Sequence, residues 1–299
     1  MEEPFVSIII PVRNEIQYIS RCLQAVANQD YPVDRVEVLV ADGASDDGTT
    51  EFLHSWASQG SDRSVFLNPG RIVPTGLNIL IPRAKGEVII RVDGHCVIAP
   101  DYVSDCVCHL QGGEADGVGG PMCSIGEDII SQVTALAMSS KFGVGNSSFR
   151  TESGVTKYTD TVPFPAYTRK IIEKVGLYDE ELVRNQDDEY NYRIREAGGR
   201  ILLAEDVKSE YFSRGSLRKL WKQYFQYGYW KVRVLQKHPR QMSPRQFVPL
   251  GFVLGLILTS LLSLFTPWGW KTLIALAVVY LAANFTASMI TAWGKGCKK

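Results

Sequence analysis

The sequence predicts an α/β fold with a mostly parallel sheet, followed by a basic helix and a hydrophobic C-terminal region. Strand-like apolar runs alternate with helical patterns between residues 6 and 206, and this alternation is typical of right-handed crossovers in a parallel sheet. The apolar runs are rich in β-branched residues and lack polar alternation, as in strands buried on both faces. Two uncharged stretches, 247–265 and 272–293, are each long enough to cross a hydrocarbon core of about 30 Å.

The elements follow one another in a regular order. The first strand lies in FVSIIIPV, and helical spacing follows at Ile19, Leu23 and Val26. The next elements expected in chain order are a strand at 36–41, a helix at 49–59, a short strand at 65–67, a helix that Gly86 ends, a strand at 88–92, a strand and turn at 115–122, a helix at 129–142, a loop at 143–162, two helices between 169 and 197, and a last strand after Gly198-Gly199. The expected domains are an α/β domain at 1–212, a basic amphipathic helix with a linker at 213–245, and a membrane domain with two spans at 246–299.

The charges are distributed unevenly, although 32 basic residues balance 32 acidic ones. Residues 1–213 hold all 32 acids and 19 basic residues, a net charge of −13, and residues 214–299 hold the other 13 basic residues. A basic segment joined to long apolar stretches indicates an anionic membrane surface, rather than nucleic acid, as its partner. A merely solvated basic face is the alternative.

Residues 216–237 combine basic side chains with aromatic and aliphatic ones near helical spacing, the composition of a helix in a membrane interface. Basic residues precede the first apolar stretch and close the chain at Lys295, Lys298 and Lys299. Both ends of the membrane domain are therefore expected on the cytoplasmic side of the cytoplasmic membrane. Core helices of a soluble bundle are the alternative, but such helices normally keep a polar face.

The cysteines and the N-terminus bear on the compartment. The six cysteines form neither a metal-finger spacing nor a disulfide framework, so a reducing compartment is expected. The start MEEPFVSIII lacks the basic and then apolar order of a signal peptide. We therefore expect the α/β domain in the cytoplasm.

Three acidic residues, Glu15, Asp42 and Asp93, follow predicted strands. They would lie at the carboxyl edge of the sheet, where open parallel sheets bind ligands. Asp42 directly abuts its strand and precedes Gly43, so its carboxylate either accepts a hydrogen bond from a nucleotide base or forms a turn.

The segment Asp93-Gly94-His95 separates a carboxylate and an imidazole by a single glycine. An aspartate can hold a hard divalent ion on a diphosphate, and a histidine can join it when the ion is Mn²⁺ or a similar metal. The glycine would let the phosphates approach closely. A capped turn with a buried histidine is the alternative.

Three consecutive acids, Asp187, Asp188 and Glu189, begin a predicted helix in NQDDEYNYR. Acids at this end of a helix favour its dipole, which is a sufficient reason for some of them. One carboxylate facing the site would instead act as a general base on a hydroxyl. Arg193, one turn away, is expected to pair with Glu189.

Taken in order, SIIIPVRNE, VLVADGASDDGT, AKGEVIIRVDGH and VGLYDEELVRNQDDEYNYRIREAGGRI resemble the inverting family 2 glycosyltransferases of the GT-A fold. The resemblance covers about residues 6–206. The Asp-Gly-His form and the hydrophobic tail resemble the bacterial exopolysaccharide branch, of the succinoglycan-biosynthesis type. The resemblance implies donor-binding side chains, with Asp42 reading the base, at Pro11, Arg13, Glu15, Asp42, Arg71, Asn78 and Asp93.

The resemblance also implies a divalent metal, Mg²⁺ or Mn²⁺, on Asp93 and His95, and Asp187 as the base that deprotonates the acceptor. His95 replaces the family's usual second aspartate, which affects the identity of the metal and the strength of its binding. Gln186 replaces the glutamate before the base, which removes a charge that would raise the pKa of Asp187. The tail has QYFQYGYWK where processive synthases have Gln-x-x-Arg-Trp, so one sugar per acceptor is expected.

These expectations describe a membrane-anchored, metal-dependent, inverting glycosyltransferase. It would move one sugar from a nucleotide-diphosphate donor to a lipid-linked or glycan acceptor in polysaccharide biosynthesis. A non-catalytic sugar-nucleotide-binding subunit of a polysaccharide synthase is the alternative, but it would need neither Asp93 nor Asp187. A sugar-nucleotide pyrophosphorylase would need a glycine-rich basic loop after the first strand, and PVRNE does not match one.

Overall fold

The computed structural model describes residues 3–145, 147–152, 154–213, 215–241 and 244–296, so Cys297, Lys298 and Lys299 lie outside the described residues. The strands are β1 (Val6–Val12), β2 (Val36–Asp42), β3 (Arg63–Leu67), β4 (Val88–Arg91), β5 (Cys96–Ile98), β6 (Gly117–Gly119), β7 (Met122–Ile125), β8 (Lys157–Tyr158), β9 (Ala166–Thr168), β10 (Ile201–Leu203) and β11 (Ser209–Phe212). The helices are α1 (Ile19–Ala27), α2 (Thr49–Ala57), α3 (Val73–Leu80), α4 (Tyr102–Gln111), α5 (Ile129–Met138), α6 (Lys141–Val144), α7 (Ser148–Thr151), α8 (Arg169–Val175), α9 (Gln186–Glu196), α10 (Leu217–Lys237), α11 (Val248–Ser263) and α12 (Pro267–Gly296).

The main sheet has eight strands in the order β3-β2-β1-β4-β9-β6-β10-β8. The strands β3, β2, β1 and β4 are parallel to one another. Beyond β4 the sheet is mixed, because β9 runs antiparallel to both β4 and β6, and β8 runs antiparallel to β10. The expectation of a mostly parallel sheet is therefore right for the first half of the domain and wrong for the second.

The first strand explains why its sequence is apolar at every position. Ile8 and Ile10 face a core that α1 and α4 cover, whereas Ile9 faces a second core formed with α3, α8 and α9. Because successive side chains of a strand point to opposite faces, a strand covered by helices on both sides needs apolar residues throughout. Because β1, β2 and β4 are parallel, their carboxyl ends lie at the same edge of the sheet.

A second sheet of three strands, β5-β11-β7, lies beyond the end of β4. Its first strand begins one residue after the Asp-Gly-His segment, and β11 pairs with both of its neighbours. The predicted helix at 129–142 is divided after Met138, and the predicted loop at 143–162 contains α7 and β8. The Asp-Gly-His segment is thus held between a strand of the main sheet and a strand of the second sheet.

The C-terminal region consists of three long helices. Within the described residues, one helix is long and apolar enough to cross a membrane by length and composition, Pro267–Trp293 of α12, and its most apolar stretch is not buried inside the protein. The first predicted span, 247–265, contains α11, whose 16 residues correspond to about 24 Å. That length is below the thickness of about 30 Å that a span must cross, so the structure supports one candidate span, and the second span stays a prediction.

Candidate active site

Asp93 lies just past the end of β4, and its position depends on Gly94. A Cβ atom at Gly94 would lie 2.7 Å from Cγ1 of Val12 and 3.5 Å from Cγ of Glu15. A side chain at this position would therefore clash with the last residue of β1. Close packing of the backbone against β1 accounts for the glycine, whereas the expected approach of phosphates stays a prediction.

Arg91, the last residue of β4, binds two of the predicted site carboxylates. Its side chain is 6% exposed, and its Nη2 and Nε donate to Oδ1 of Asp93 at 2.9 and 3.1 Å. Its Nη1 donates to Oδ1 of Asp187. Burial lowers the pKa of Arg91, but the charges of Asp187 and Asp93 more than offset this effect and raise the pKa above its usual value. One guanidinium thus joins carboxylates that are 94 positions apart in the sequence.

Asp187 is the second residue of α9, next to the positive end of the helix. Its side chain is 37% exposed, so one side of the carboxylate remains open to solvent. Burial of the other side raises the pKa of Asp187, Arg91 opposes this effect, and the nearby charge of Asp93 adds to it, with a net raised pKa. A carboxylate that is accessible and has a raised pKa has the properties of a general base.

Sequence reasoning did not identify Arg91. The available signal was a charged residue inside the otherwise apolar run VIIRV. A buried charge in a strand is rare unless it is paired, and its partners lie two and 96 positions away in the sequence. The sequence pattern marks the anomaly but does not reveal the distant partner.

His95 faces Glu15 in the structure. Its Nδ1 lies 3.0 Å from Oε1 of Glu15, a distance of an ion pair, although the atoms are not aligned for a hydrogen bond. The imidazole also packs edge-on against Tyr211, with ring centroids 4.7 Å apart. Both His95 and Glu15 line a cleft of about 240 Å³ that reaches Lys219 at the start of α10.

Asp93 and His95, the predicted metal ligands, offer one carboxylate and one imidazole to an ion. Among the described residues, no group of three or more His, Cys, Asp or Glu side chains is arranged to hold a metal by itself. Arg91 engages Oδ1 of Asp93, and the buried Nδ1 of His95 has no hydrogen bond among those residues. One carboxylate and one unsatisfied imidazole fit an ion that receives its remaining ligands from a diphosphate and water.

Asp42 is almost completely buried at the end of β2, and neighbouring side chains bind its carboxylate. The hydroxyl groups of Ser45 and Thr50 each donate to it at 2.6 Å. These contacts show the turn role that the sequence left open, and recognition of a base stays a prediction. Pro11 and Arg13 lie on the adjacent strand β1 and its loop, and the side chain of Arg13 packs beside Gly43.

The last two predicted donor contacts lie at α3. Arg71 is exposed just before this helix and has a φ of 58°. Asn78 lies within α3, where its amide donates to the carbonyl of Tyr178 and to Glu180 and accepts from the backbone of Tyr178. These bonds join α3 to the loop before α9, so the structure gives Asn78 a scaffolding contact, and its donor role stays a prediction.

The rest of the acidic cluster has structural partners. The predicted pair is confirmed, because Arg193 Nε lies 2.7 Å from Oε1 of Glu189. Glu189 is 2% exposed and also lies 3.1 Å from Nε2 of His238, just after α10. Asp188 pairs with Lys231 of α10 at 3.0 Å. Of the three consecutive acids, two therefore fix α9 in the fold, and Asp187 is the one that contacts the guanidinium of Arg91.

The second half of helix α10 contacts the start of α9 and the segment before it. Besides the pair between Lys231 and Asp188, Lys237 binds Asp179 and lies 2.6 Å from Oε2 of Glu181. Asn185 at the start of α9 donates to the carbonyl of Tyr227 at 3.0 Å. The basic helix therefore supports the helix that carries Asp187.

Comparison with known proteins gives a consistent result. The family description "Glycosyl transferase family 2" matches residues 7–176. The succinoglycan biosynthesis protein ExoA of Rhizobium meliloti strain 1021 is 32% identical over 247 residues, which cover 82% of this chain and 74% of ExoA. A Methanococcus voltae enzyme, a dolichyl N-acetyl-alpha-D-glucosaminyl phosphate 3-beta-D-2,3-diacetamido-2,3-dideoxy-beta-D-glucuronosyltransferase, is 28% identical over 269 residues, or 86% of this chain and 83% of that protein.

Among solved structures, the mannosyltransferase PcManGT of Pyrobaculum calidifontis, in complex with GDP-Man and Mn²⁺, matches with a TM-score of 0.61. The two sequences are 22% identical, and the match covers 99% of this chain and 81% of the PcManGT chain. This structural likeness establishes the fold as GT-A, and the family match includes β1, β2, β4 and the Asp-Gly-His segment. The chain is a glycosyltransferase and belongs to glycosyl transferase family 2.

Proposed function

We propose that the protein is an inverting glycosyltransferase that transfers one sugar from a nucleotide-diphosphate donor to an acceptor hydroxyl, with Asp187 as the base. The observation that carries this proposal is the shared contact of Asp93 and Asp187 with Arg91. It brings a carboxylate at the end of a strand, where the donor would bind, within one side chain of a partly exposed carboxylate on α9. The non-catalytic alternative gives no reason for this arrangement.

The proposed reaction is a single displacement at the anomeric carbon. The acceptor oxygen forms a bond to that carbon while the bond from the carbon to the diphosphate oxygen breaks. Asp187 takes the proton of the acceptor hydroxyl, and the nucleoside diphosphate leaves with the bonding electrons. Attack opposite the leaving group inverts the configuration, and no second catalytic carboxylate is required, unlike in hydrolysis by a pair of carboxylates.

For the donor, we propose that the loop after β1 and the end of β2 form the nucleotide pocket. Its lining would include Pro11, Arg13 and Glu15. Asp42 would recognise the nucleotide base, and Arg71 and Asn78 would lie at the margin of the pocket. Asp93 and His95 would hold a divalent metal, Mg²⁺ or Mn²⁺, which would neutralise the charge that develops on the leaving diphosphate. The presence of Mn²⁺ and GDP-Man in the PcManGT complex supports a nucleotide-sugar donor with a metal.

For the acceptor, we propose a lipid-linked or glycan hydroxyl presented at the cytoplasmic face of the membrane. The side chains at Leu217, Trp221, Phe225, Tyr229 and Val232 recur every three or four residues along α10 and are all exposed. An apolar stripe on a basic helix is typical of a helix in a membrane interface. The name of the Methanococcus relative includes a dolichyl phosphate, which supports a lipid-linked acceptor.

We also propose the domain arrangement and the membrane topology on these grounds. Residues 1–212 would form the catalytic domain and 213–245 the interface helix with its linker. Residues 246–299 would form a membrane domain in which α11 crosses together with α12, both ends of the pair being cytoplasmic. Residues 247–265, with the short segments on either side of α11, reach about 28 Å, which approaches the thickness of the hydrocarbon core.

The substitution Asp187→Asn tests the assignment of the base, with Asp188→Asn as its matched control. Both changes remove one charge at the start of α9, but only Asp187 contacts Arg91. In detergent-solubilised protein with a panel of UDP- and GDP-sugars, D187N should lower the transfer rate by about 10²–10⁴-fold and leave donor binding unchanged. D188N should retain most of the rate, because Lys237 still pairs with Asp179 and Glu181 and keeps α10 against the segment before α9. Near-normal transfer by D187N would show that another group is the base, and absence of nucleoside diphosphate release with every donor would favour the non-catalytic binding subunit.

A further inference from the structure

Arg150, in the short helix α7, is a partly buried cation that lacks a carboxylate partner among the described residues. Its Nη1 donates to the hydroxyl of Ser124 in β7 at 3.3 Å. Within the described part of the chain, this long bond is the one hydrogen bond of a guanidinium that can donate several. The nearest acid along the chain, Glu152, binds Lys157 instead. The charge of Arg150 is therefore not compensated by its neighbours.

Other arginines of the domain show what a buried guanidinium usually binds. Arg91 binds two carboxylates, and Arg169 donates to two backbone carbonyls. The Cζ atom of Arg150 instead lies 5.4 Å from the ring centroid of Phe149 and 5.8 Å from that of Tyr211. Ring faces attract a cation but do not replace the oxygen acceptors of its N–H groups. A partly buried guanidinium in such a setting is suited to an anion that another molecule supplies.

The ring of Tyr211 connects Arg150 to the predicted metal ligand His95. Tyr211 in β11 is paired with Ser124 in β7, so both residues lie in the same row of the second sheet. The imidazole of His95 packs edge-on against the ring of Tyr211, with centroids 4.7 Å apart. One aromatic ring thus separates the guanidinium from the imidazole. Arg150 consequently lies beside the part of the crevice in which the diphosphate of the donor is proposed to bind.

Arg150 is also close to the middle of α10. Burial raises the pKa of Tyr224 in this helix, and the nearby charge of Arg150 opposes that effect. The rings of Tyr224 and Tyr227 lie 5.9 Å apart, and the carbonyl of Tyr227 accepts from Asn185, two residues before Asp187. Arg150 is therefore near the part of the proposed interface helix that contacts the start of α9.

We propose that Arg150 binds a phosphate group of a substrate through the N–H groups of its guanidinium. The proposal rests on the proposed glycosyl transfer and adds a substrate-binding residue from α7. A planar guanidinium donates to two phosphate oxygens at once, which an ammonium group does not do in a fixed geometry. The phosphate belongs either to the diphosphate of the donor, which the position next to the ring of Tyr211 and His95 favours, or to a lipid-linked acceptor presented along α10.

Binding of small probes to the full-length protein in detergent tests the proposal in Arg150→Met and Arg150→Lys. UDP and GDP, each with Mn²⁺, carry the diphosphate of a donor, and uridine and guanosine lack it. Farnesyl phosphate carries the phosphate of a lipid, and farnesol lacks it. The matched control is Arg200→Met, because Arg200 also lies over a tyrosine ring, that of Tyr158 at 5.7 Å, but precedes β10 at the amino edge of the sheet.

R150M should weaken the binding of a phosphate-bearing probe roughly 10- to 100-fold, as expected for a lost hydrogen bond between charged groups. It should leave the binding of the matching phosphate-free probe and the melting temperature near their wild-type values. R150K should lose less affinity, because it keeps the charge but not the planar fork. Loss of UDP or GDP binding assigns Arg150 to the donor, and loss of farnesyl phosphate binding assigns it to the acceptor. R200M should behave like the wild-type protein.

Three results would count against the proposal. If R150M binds every phosphate probe as tightly as the wild-type protein does, the inference fails and the proposed transfer stands. Equal weakening of phosphate-bearing and phosphate-free probes would also overturn it, because the loss would then reflect a distorted site. If the wild-type protein binds neither UDP nor GDP, the proposed donor is contradicted and the inference falls with it.

Discussion

Arg91 shows at the scale of a single residue how this site combines two functions. A buried guanidinium requires partners, because an unpaired charge at 6% exposure is very costly. The partners here are the two carboxylates that the proposed reaction uses, one on the donor side and one as the base. Stability and geometry are therefore satisfied by the same contacts, and Arg91 acts as a positioning residue for both.

The charge of Arg91 leads to a prediction about pH. Asp187 must be ionised to accept a proton, so the transfer rate should fall as the pH drops through its pKa. That pKa is raised by burial and by Asp93 and is lowered by Arg91. The acidic limb of the pH–rate profile should therefore lie above the ordinary carboxyl value of about 3.8. In Arg91→Met, where the opposing charge is gone, the limb should move to higher pH.

The profile of kcat against pH measures this effect, with Asp188→Asn as a comparison that removes a charge of the opposite sign. The loss of Arg91 should also lower kcat by about 10²-fold or more, because a misplacement of about 1 Å at a reacting group has costs of this order. Asp188 also raises the pKa of Asp187, so D188N should move the acidic limb to lower pH, opposite to the shift expected in R91M. An R91M profile superimposable on the wild-type profile would contradict the role of Arg91.

The residues that the sequence could and could not reveal differ in where their partners lie. Glu189 and Arg193 are four positions apart, so helical spacing alone predicts their ion pair, and the structure confirms it. Asp187 and Arg91 are 96 positions apart, and no local pattern joins them. Asp42 shows a third case, because the sequence allows both a turn role and a ligand role, and its contacts with Ser45 and Thr50 are those of a turn.

At the scale of elements, the two halves of helix α10 differ in what their side chains contact. Its first half carries the exposed residues Leu217, Trp221 and Phe225, with the last two rings stacked at 5.5 Å. Its second half places Lys231 and Lys237 against the acidic segment that precedes and begins α9. A helix held at one end by a bilayer and at the other by α9 would transmit the position of the membrane to Asp187.

Removal of these ion pairs gives a second prediction. In Lys231→Met/Lys237→Met, each partly exposed pair should contribute about 1 kcal/mol or less, so the melting temperature should fall by only a few degrees. Transfer should decrease further than this small destabilisation explains, because α9 loses its support from α10. The matched control, Arg218→Met/Lys222→Met, removes two exposed charges from the same helix outside the acidic contact.

Thermal unfolding in detergent and the transfer rate, each measured for both double variants, separate the two effects. Raised salt should reproduce the K231M/K237M effect in the wild-type protein, since ions screen partly exposed pairs. Equal transfer rates in the two double variants would show that the acidic contact with α10 does not support the site.

The elements that the sequence predicted well are the long and strongly patterned ones. The strands β1 and β2 lie within one residue of their expected positions, because a strand buried on both faces leaves a continuous apolar signature. Strands of two or three residues, such as β8 and β9, give no periodic signal, and their direction is set by contacts with distant partners. The mixed half of the sheet therefore could not be deduced from local patterns.

At the scale of the whole molecule, the division of charge follows the division of tasks. The part that holds the candidate site has a net charge of −13, and the helical region after residue 213 has +13. Part of this opposition is used internally, where α10 pairs with acids around α9. The remaining basic side chains of α10 are available to anionic lipid, each contributing about 1 kcal/mol near such a surface.

Truncation of the chain after residue 243 tests how these contributions add. The shortened protein keeps α10 but loses α11 and α12. It should bind vesicles that contain anionic lipid and should dissociate as salt rises, because screening weakens the contribution of the lysines and arginines. The full-length chain should remain in the membrane fraction under both high salt and alkaline carbonate, because an apolar span is held independently of charge.

Co-sedimentation with vesicles measures both proteins, and neutral vesicles are the control. Release of the full-length chain by carbonate would mean that α12 does not span the bilayer, whereas salt-resistant binding of the shortened chain would show that apolar side chains of α10, rather than basic ones, dominate the surface contact.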